Sequence, residues 1–254
     1  MCFDLDSQPP ISPIAGGALD HEELVLEGAD GNQFAAFRAR ASEPAGAGVV
    51  ILPDVRGLYA FYEELALRFA EAGIDALAID YFGRTAGVAK RDAEFSYPEH
   101  VQQTKLPELR SDLTAAVEEL RRDGRVRAIF TIGFCFGGRL AYTSGTFGLD
   151  LAGTVAFYGM PVGDRPGYPA PATVAPAMAS PILGLFGGAD QAIPAEAISQ
   201  FESSLVAAGV EHELITYPGA PHSFFDRKAA DFSEASADSW RRSLEFIRSR
   251  TPAA

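Results

Sequence analysis

The chain has 254 residues, 47% of them hydrophobic and 22% charged, which is typical of a globular protein with a sizeable core. Its net charge of -13 argues against nucleic acid or an anionic membrane as a partner, because a polyanion repels both. No apolar run in the sequence is long enough to cross a bilayer.

The N-terminal stretch MCFDLDSQPPISP is acidic and rich in proline, and the first lysine or arginine of the chain is Arg38. A secretory signal peptide needs a positively charged start and then an apolar stretch, so we expect a cytoplasmic protein. Thiols stay reduced in that compartment, and we therefore predict that Cys2 and Cys135 are not joined in a disulfide.

The first predicted elements are two strands of an antiparallel hairpin, and from residue 48 onward extended and helical patterns alternate. The run GVVILP is continuous and β-branched, as in strands that are buried on both faces of a sheet. Strands are predicted at 24–26, 34–40, 48–53, 75–80, 127–132, 154–159, 182–188 and 213–218, and helices at 61–72, from 107, and at 138–144, 194–208 and 233–249. This alternation predicts an α/β protein with a mostly parallel, twisted sheet and helices on both faces.

Two further features concern the organisation of the chain. Residues 160–181 contain six prolines, and we predict a long ordered loop over one end of the sheet. No polar linker or internal repeat divides the sequence, so we predict one domain over 24–250, an N-terminal extension over 1–23 and a tail over 251–254. The sequence leaves the oligomeric state open.

Reactive residues follow several of the predicted strands. Ligands of open α/β sheets bind outside the carboxyl ends of the strands. The residues in such positions are Asp54, Arg84, Cys135, Asp190 and His222. Their common placement at strand ends is the main indication, from the residues themselves, of an active site.

The segment 133–137, Gly-Phe-Cys-Phe-Gly, lies between a predicted strand and a predicted helix. This spacing is typical of a nucleophile on a strained turn, with glycines where a side chain would crowd the backbone. The positive end of the helix would favour the thiolate of Cys135. The simpler alternative is a buried cysteine that packs as a small hydrophobic residue.

A cysteine nucleophile requires a base, and the base requires a group that orients it. His222 lies in a tight loop after the last strand, whereas His21, His100 and His212 are predicted to be surface residues. Asp190 follows the preceding strand, where a carboxylate could hold the imidazole. The order nucleophile, acid, histidine is that of the α/β-hydrolases.

These motifs resemble those of the dienelactone hydrolases, a branch of the α/β-hydrolase fold whose nucleophile is cysteine. The resemblance covers about residues 24–250 and is carried by 53–57 (PDVRG), 80–84 (DYFGR), 133–138 (GFCFGG), 188–190 (GAD) and 221–224 (PHSF). It implies hydrolysis of carboxylic esters or lactones through a thioester acyl-enzyme, without a metal or another cofactor.

The resemblance also implies roles for individual residues. Cys135 is then the nucleophile, His222 the base and Asp190 the residue that orients it. The backbone N–H groups of Val55 and Phe136 would form the oxyanion hole.

The positions that would bind or gate the substrate depart from the family pattern. Asp54 stands where the family usually has glutamate, which can interact with the cysteine. Arg84 matches one of two arginines that hold a substrate carboxylate, but the second position is Asp226, followed by Arg227. Tyr158 and its aromatic neighbours could shape an apolar pocket or belong to the core.

Two other functions remain open on the sequence alone. Cys135 could be a thiol redox sensor with Cys2 as its resolving partner, although the lack of a C-x-x-C motif argues against this. Alternatively, the chain could be a non-catalytic ligand-binding module, because a fold does not determine a function.

Overall fold

The computed structural model describes residues 3–14, 20–165 and 167–253. Cys2, which the redox hypothesis requires, lies outside these residues. The strands are β1 (Asp20–Glu27), β2 (Gln33–Arg40), β3 (Ala47–Leu52), β4 (Asp75–Ile79), β5 (Ala128–Phe134), β6 (Gly153–Phe157), β7 (Ile182–Gly187) and β8 (His212–Tyr217). The helices are α1 (Ala60–Glu71), α2 (Gly83–Ala86), α3 (Tyr97–Gln103), α4 (Leu106–Arg121), α5 (Phe136–Ser144), α6 (Pro171–Val174), α7 (Ala195–Ala208) and α8 (Ser233–Ser249).

The eight strands form one sheet in the order β1-β2-β4-β3-β5-β6-β7-β8. β2 pairs antiparallel with both β1 and β4, and all the other pairs are parallel. The chain passes from β3 to β4 on one side and then returns to β5 on the other side of β3. This reversal creates the crevice at the carboxyl ends of β3 and β5 in which α/β proteins bind ligands.

Helices cover both faces of the sheet, as two neighbouring residues of β5 demonstrate. The ring of Phe130 packs edge-on against Phe246 of α8, with 6.3 Å between the ring centroids. The hydroxyl of the next residue, Thr131, lies 3.0 Å from the hydroxyl of Ser144 in α5. Because successive strand residues point to opposite faces, α8 and α5 lie on opposite sides of the sheet. The α/β-hydrolase architecture predicted from the sequence is confirmed.

The central strands are buried along their whole length, in agreement with their continuous apolar sequences. Phe134 at the end of β5 has no exposed surface and stacks on Phe157 with 4.7 Å between ring centroids. It is therefore a core residue rather than a pocket residue. Burying a side chain of this size contributes about 1.5–3 kcal/mol to stability.

The structure differs from the predicted elements at several places. β1 begins at Asp20, four residues before the predicted strand, because its pairing with β2 continues as far as Arg40. The described residues of 160–181 form a loop that includes the short helix α6 and a turn of 3-10 helix at Ala175–Ala177. The pattern of residues 97–103 did not predict α3, which begins with a tyrosine and a proline. In the described part of the chain, no helix has both the length and the apolar character needed to span a membrane.

Candidate active site

Cys135 lies on a strained turn between β5 and α5. Its backbone has φ 55° and ψ -110°, a conformation that residues other than glycine rarely adopt, and its side chain is partly exposed. A Cβ on Gly133 would lie 2.0 Å from the carbonyl oxygen of Gly137, and one on Gly137 would lie 2.1 Å from that of Leu52. The two flanking glycines are therefore required by close approach of the backbone.

Asp190 and His222 lie in the loops that follow β7 and β8, the last two strands of the sheet. The Nδ1 of His222 is 2.6 Å from Oδ2 of Asp190, a short, charge-assisted hydrogen-bond distance. The Asp190 side chain is almost completely buried, and that of His222 is 11% exposed. The predicted acid and base are thus adjacent in the structure.

Several effects act on the pKa of Asp190. Burial is the largest and raises it, but the hydrogen bond and charge of His222 lower it, as do the N–H groups of Ala192 and Ile193. Ala192 donates its N–H to Oδ1 of Asp190 at 2.8 Å. The net result is a pKa below the ordinary value, so the carboxylate is ionised at neutral pH and can hold the imidazole.

Tyr158 lies between the cysteine turn and the histidine loop. It follows β6 with a positive φ of 40° and its ring centroid is 4.8 Å from that of His222. The N–H of Cys135 donates to the carbonyl oxygen of Phe157 at 3.0 Å. Cys135 and His222 are therefore both neighbours of the pair Phe157 and Tyr158. A positive φ at a tyrosine persists only where the surrounding structure enforces it, which is common at functional sites.

Two backbone N–H groups lie next to the cysteine turn and have no protein acceptor within the described residues. Phe136 is the first residue of α5, so its N–H has no partner within the helix. Val55 follows β3, and its neighbours use their own N–H groups in the turn: Arg56 donates to Oδ1 of Asp54 at 2.8 Å, and Gly57 to its carbonyl oxygen at 3.1 Å. The N–H groups of Val55 and Phe136 are therefore available as donors to a bound group.

Asp54 is 1% exposed and is held at both carboxylate oxygens. Besides the Arg56 N–H on Oδ1, the hydroxyl of Tyr59 lies 3.4 Å from Oδ2. The Tyr62 hydroxyl accepts the Asp54 N–H at 2.8 Å. These contacts fix the turn after β3 that carries Val55. A predicted role of Asp54 in gating the thiol stays a prediction.

Arg84 is directed into a cluster of carboxylates. Its guanidinium pairs with Asp30 and Asp112, each at 2.7 Å, and lies 3.9 Å from Glu108. In this conformation three acidic groups already neutralise the side chain that was predicted to hold a substrate carboxylate. Its role in substrate binding therefore stays a prediction without a supporting contact.

Arg227, the other predicted arginine, is exposed and contacts the N-terminal segment. Its guanidinium donates to Oε1 of Gln8 at 2.5 Å and to the carbonyl oxygen of Ile11 at 3.1 Å. The structure therefore engages both predicted arginines in contacts within the protein. By contrast, no ion pair or side-chain hydrogen bond within the described residues occupies Arg56, which borders a cleft of about 270 Å³.

Arg139 of α5 holds the loop that follows β6, and the sequence analysis did not identify it. It is 5% exposed and donates to the carbonyl oxygens of Met160, Val162, Gly163 and Tyr168, at distances from 2.7 to 3.5 Å. An arginine four residues after the cysteine was the available signal, but its acceptors are backbone atoms that no motif reveals.

In the parts of the chain that are described, no group of three or more acidic, histidine or cysteine side chains is arranged to hold a metal ion.

Comparisons with known proteins identify the family of the chain. The sequence model that describes the dienelactone hydrolase family matches residues 34–251 of the chain. A protein of Yersinia pestis, provisionally named a carboxymethylenebutenolidase, is 30% identical over 85% of this chain and 84% of its own length. A similarly named protein of Escherichia coli (strain K12) is 28% identical over 94% and 93%. A crystal structure from Klebsiella pneumoniae subsp. pneumoniae, provisionally named a dienelactone hydrolase, superimposes with a TM-score of 0.80 at 26% identity, over 91% of this chain and 98% of that one. The chain therefore belongs to the dienelactone hydrolase family and is a hydrolase of esters or lactones.

Proposed function

We propose that the chain hydrolyses carboxylic esters or lactones through a triad of Cys135, His222 and Asp190, by way of a thioester acyl-enzyme. The observation that carries the proposal is the strained conformation of Cys135, at φ 55° and ψ -110°, on a turn whose neighbour Tyr158 packs against His222. Strain of this kind keeps a side chain exposed at the top of the sheet, where a nucleophile must stand.

In the first half of the reaction, the imidazole of His222 takes the proton from the thiol of Cys135. The thiolate attacks the carbonyl carbon, and the C–O bond breaks while the imidazolium gives its proton to the leaving oxygen. Asp190 keeps the imidazole oriented and stabilises its charged form through the 2.6 Å hydrogen bond. In the second half, His222 takes a proton from water, whose oxygen attacks the thioester carbonyl. The C–S bond then breaks, the carboxylic acid leaves, and the imidazolium returns its proton to the sulfur of Cys135.

The negative charge that develops on the carbonyl oxygen needs donors in a fixed position. The N–H groups of Val55 and Phe136 are the candidates, because each lies at a turn beside Cys135 and has no acceptor among the described residues. Each such donor typically lowers the barrier by about 3–4 kcal/mol. The tight hydrogen bonding of Asp54 around Val55 supports this role, because a preorganised donor loses no energy to rearrangement.

A thiolate is also a good leaving group. With a substrate whose own leaving group is poor, the tetrahedral intermediate would therefore expel the thiolate again and return the intact substrate. Activated esters and enol lactones are therefore better substrates for this site than amides. A cytoplasmic location, in which thiols stay reduced, would suit such a nucleophile.

The test is the variant Cys135→Ala, assayed with short p-nitrophenyl esters and a panel of lactones. We expect hydrolysis to fall by about 10³-fold or more while the far-ultraviolet spectrum stays unchanged. Intact-mass measurement after rapid quenching should show one acyl group on the wild-type protein and none on the variant. Full esterase activity in Cys135→Ala would refute the proposal, and an absence of any ester or lactone hydrolysis by the wild type would favour a binding module.

A further inference from the structure

Phe3 belongs to the N-terminal stretch that the sequence marks as an extension, yet it lies in the core. Its side chain is 2% exposed, and its ring stacks on that of Phe61 with 4.1 Å between centroids. It also contacts Phe134 and Tyr158, each with 6.2 Å between centroids. The N-terminal segment is therefore anchored inside the aromatic cluster below the candidate active site.

Two of these aromatic neighbours border the residues of the proposed mechanism. Phe134 directly precedes Cys135 in the chain, and Tyr158 packs its ring on His222. Phe3 is thus separated from the nucleophile by one residue and from the base by one aromatic ring. A change in the packing of Phe3 would therefore affect a neighbour of Cys135 and a neighbour of His222.

The same segment is attached to the loop that follows His222. Arg227 donates its backbone N–H to the carbonyl oxygen of Gln8 at 2.8 Å, in addition to the two guanidinium hydrogen bonds to Gln8 and Ile11. In return, Gln8 donates its N–H to Oδ1 of Asp226 at 3.2 Å. These contacts join residues more than 200 positions apart in the chain, so they cannot arise from local structure.

On its other side, the segment lines a cleft together with the residue that follows the proposed oxyanion donor. Asp4 and Leu5 line the cleft of about 270 Å³ together with Arg56, the residue that follows Val55. The segment therefore contacts the histidine loop, the aromatic neighbours of the cysteine and the wall of a cleft beside Val55.

We propose that residues 3–11, which we call the N-terminal strap, are a positioning element of the active site. The strap packs Phe3 beneath Tyr158 and holds the loop after His222 through Arg227, and so it keeps the imidazole aligned with the cysteine. The inference rests on the proposed function, because it requires His222 to act as the base. It assigns to Arg227 a positioning role in place of the predicted contact with a substrate carboxylate.

The physical reason is the narrow tolerance of proton transfer for misalignment. Catalytic groups must be held within about 0.5 Å of the productive geometry by neighbours whose own rotamers are locked by packing. Removing the Phe3 ring would leave a cavity next to Tyr158, which already has the strained φ of 40° and would move into the space. Since a small ester gains little binding energy from His222, the loss should appear in kcat rather than in KM.

The first experiment compares Phe3→Ala and Phe3→Leu in the full-length protein with Phe246→Ala as a matched control. Phe246 is similarly buried, at 6% exposed, but it packs on Gly153 and Phe130, which lie towards the amino ends of β6 and β5. For hydrolysis of p-nitrophenyl acetate, we expect kcat of Phe3→Ala to fall by about 10-fold or more with KM within about twofold. Phe3→Leu should restore part of kcat, and Phe246→Ala should lower Tm while keeping kcat within about twofold of wild type.

The second experiment addresses the other attachment, with exposed residues whose replacement leaves folding intact. We expect Arg227→Ala to lower kcat about fivefold, Arg227→Lys to recover part of that loss, and Gln8→Ala to lower kcat by a smaller factor. The double variant of Gln8→Ala and Arg227→Ala should be no slower than Arg227→Ala alone, because both changes break the same contact. These variants decide the question even where Phe3→Ala is too unstable to assay.

The proposal requires a loss of kcat in Arg227→Ala and in each Phe3 variant that folds. A kcat within twofold of wild type in Arg227→Ala, or an equal loss of kcat in Phe246→Ala, would overturn it. Failure of the proposed function would look different: either Cys135→Ala would remain active, or the wild-type protein would hydrolyse no ester or lactone, whatever the strap variants do.

Discussion

The imidazole Nδ1 of His222 lies 2.6 Å from Oδ2 of Asp190, although 32 residues separate the two in the chain. Their loops follow the neighbouring parallel strands β7 and β8, whose carboxyl ends meet at one edge of the sheet. The pair therefore depends on the register of two strands, and its contribution can be measured directly.

The variant Asp190→Asn should lower kcat for an activated ester by about 10²–10⁴-fold, because an amide in this position favours the wrong tautomer of His222 and cannot stabilise its charged form. The effect should appear at all pH values at which the enzyme is active, since the pKa of Asp190 lies below its ordinary value. Steady-state kinetics from pH 5 to 9 would measure it. The exposed Asp231→Asn is the control and should match wild type; equal rates for the two variants would contradict the assignment of Asp190.

The glycine at position 137 should tolerate no side chain. A Cβ there would lie 2.1 Å from the carbonyl oxygen of Leu52 and 2.3 Å from that of Pro53, both of which are backbone atoms that cannot move aside. We expect Gly137→Ala to destabilise the protein by about 3 kcal/mol or more, or to prevent its folding. Gly145→Ala at the end of α5 is the control, since its closest neighbour is the Oγ of Ser180 at 3.0 Å. Urea denaturation should show a small change for Gly145→Ala, and an equally small change for Gly137→Ala would count against the tight turn.

Loss of the Arg139 side chain should release the loop after β6. Arg139→Met keeps much of the apolar stem but removes the donors to four carbonyl oxygens, two of which are those of Val162 and Gly163. We expect a loss of about 2–4 kcal/mol in the free energy of unfolding and faster amide hydrogen exchange over the described residues of 160–168. Arg110→Met, at an exposed position of α4, should change neither quantity. Unchanged exchange in Arg139→Met would show that the loop is held by other contacts.

Asp112 should make the stability of the protein depend on pH. Burial is the main cause that raises its pKa from 3.8 to about 6; hydrogen bonding from Asn32 and the charge of Arg84 oppose this effect without cancelling it. Between these two pH values the folded protein keeps a proton that the unfolded chain has lost. The resulting stability is full below pH 3.8, is lost as the pH rises through about 6, and amounts to about 3 kcal/mol at most.

The measurement for Asp112 is the difference in unfolding free energy between wild type and Asp112→Asn. This difference should fall as the pH rises from 4 to about 6.5 and then stay constant. The exposed Asp150→Asn is the control. A flat profile for Asp112→Asn would show that its carboxylate is ionised throughout.

The carboxylate cluster around Arg84 predicts a structural effect of its removal. In Arg84→Ala the buried Asp112 and its neighbour Asp30 lose their shared cation, so we expect a lower Tm. In Arg84→Ala, the ratio of kcat/KM for an anionic ester to kcat/KM for a neutral ester should stay within about twofold of the wild-type ratio. Arg56→Ala should lower this ratio by about fivefold, because Arg56 borders the cleft and no ion pair within the described residues occupies it. The reverse pattern would return the substrate carboxylate to Arg84.

Much of this protein follows from local sequence patterns. Continuous apolar runs that alternate with helical patterns along the chain were sufficient to predict the parallel sheet, because strands buried on both faces need continuous apolar residues. The spacing of glycines around Cys135 predicted the strained turn, since only glycine allows backbone to approach within the observed distances. The positions of Asp190 and His222 after successive strands predicted their contact, because parallel strands end at the same edge.

What the local patterns could not reveal is the choice of partner for each charged or aromatic side chain. Arg84 reaches Asp30 and Asp112, Arg139 reaches backbone oxygens beyond β6, and Phe3 enters a cluster formed by residues far along the chain. A long cation has many acceptors of similar energy, and a ring packs wherever a cavity of its shape remains. Such choices depend on where distant elements meet, and only the assembled tertiary structure decides them.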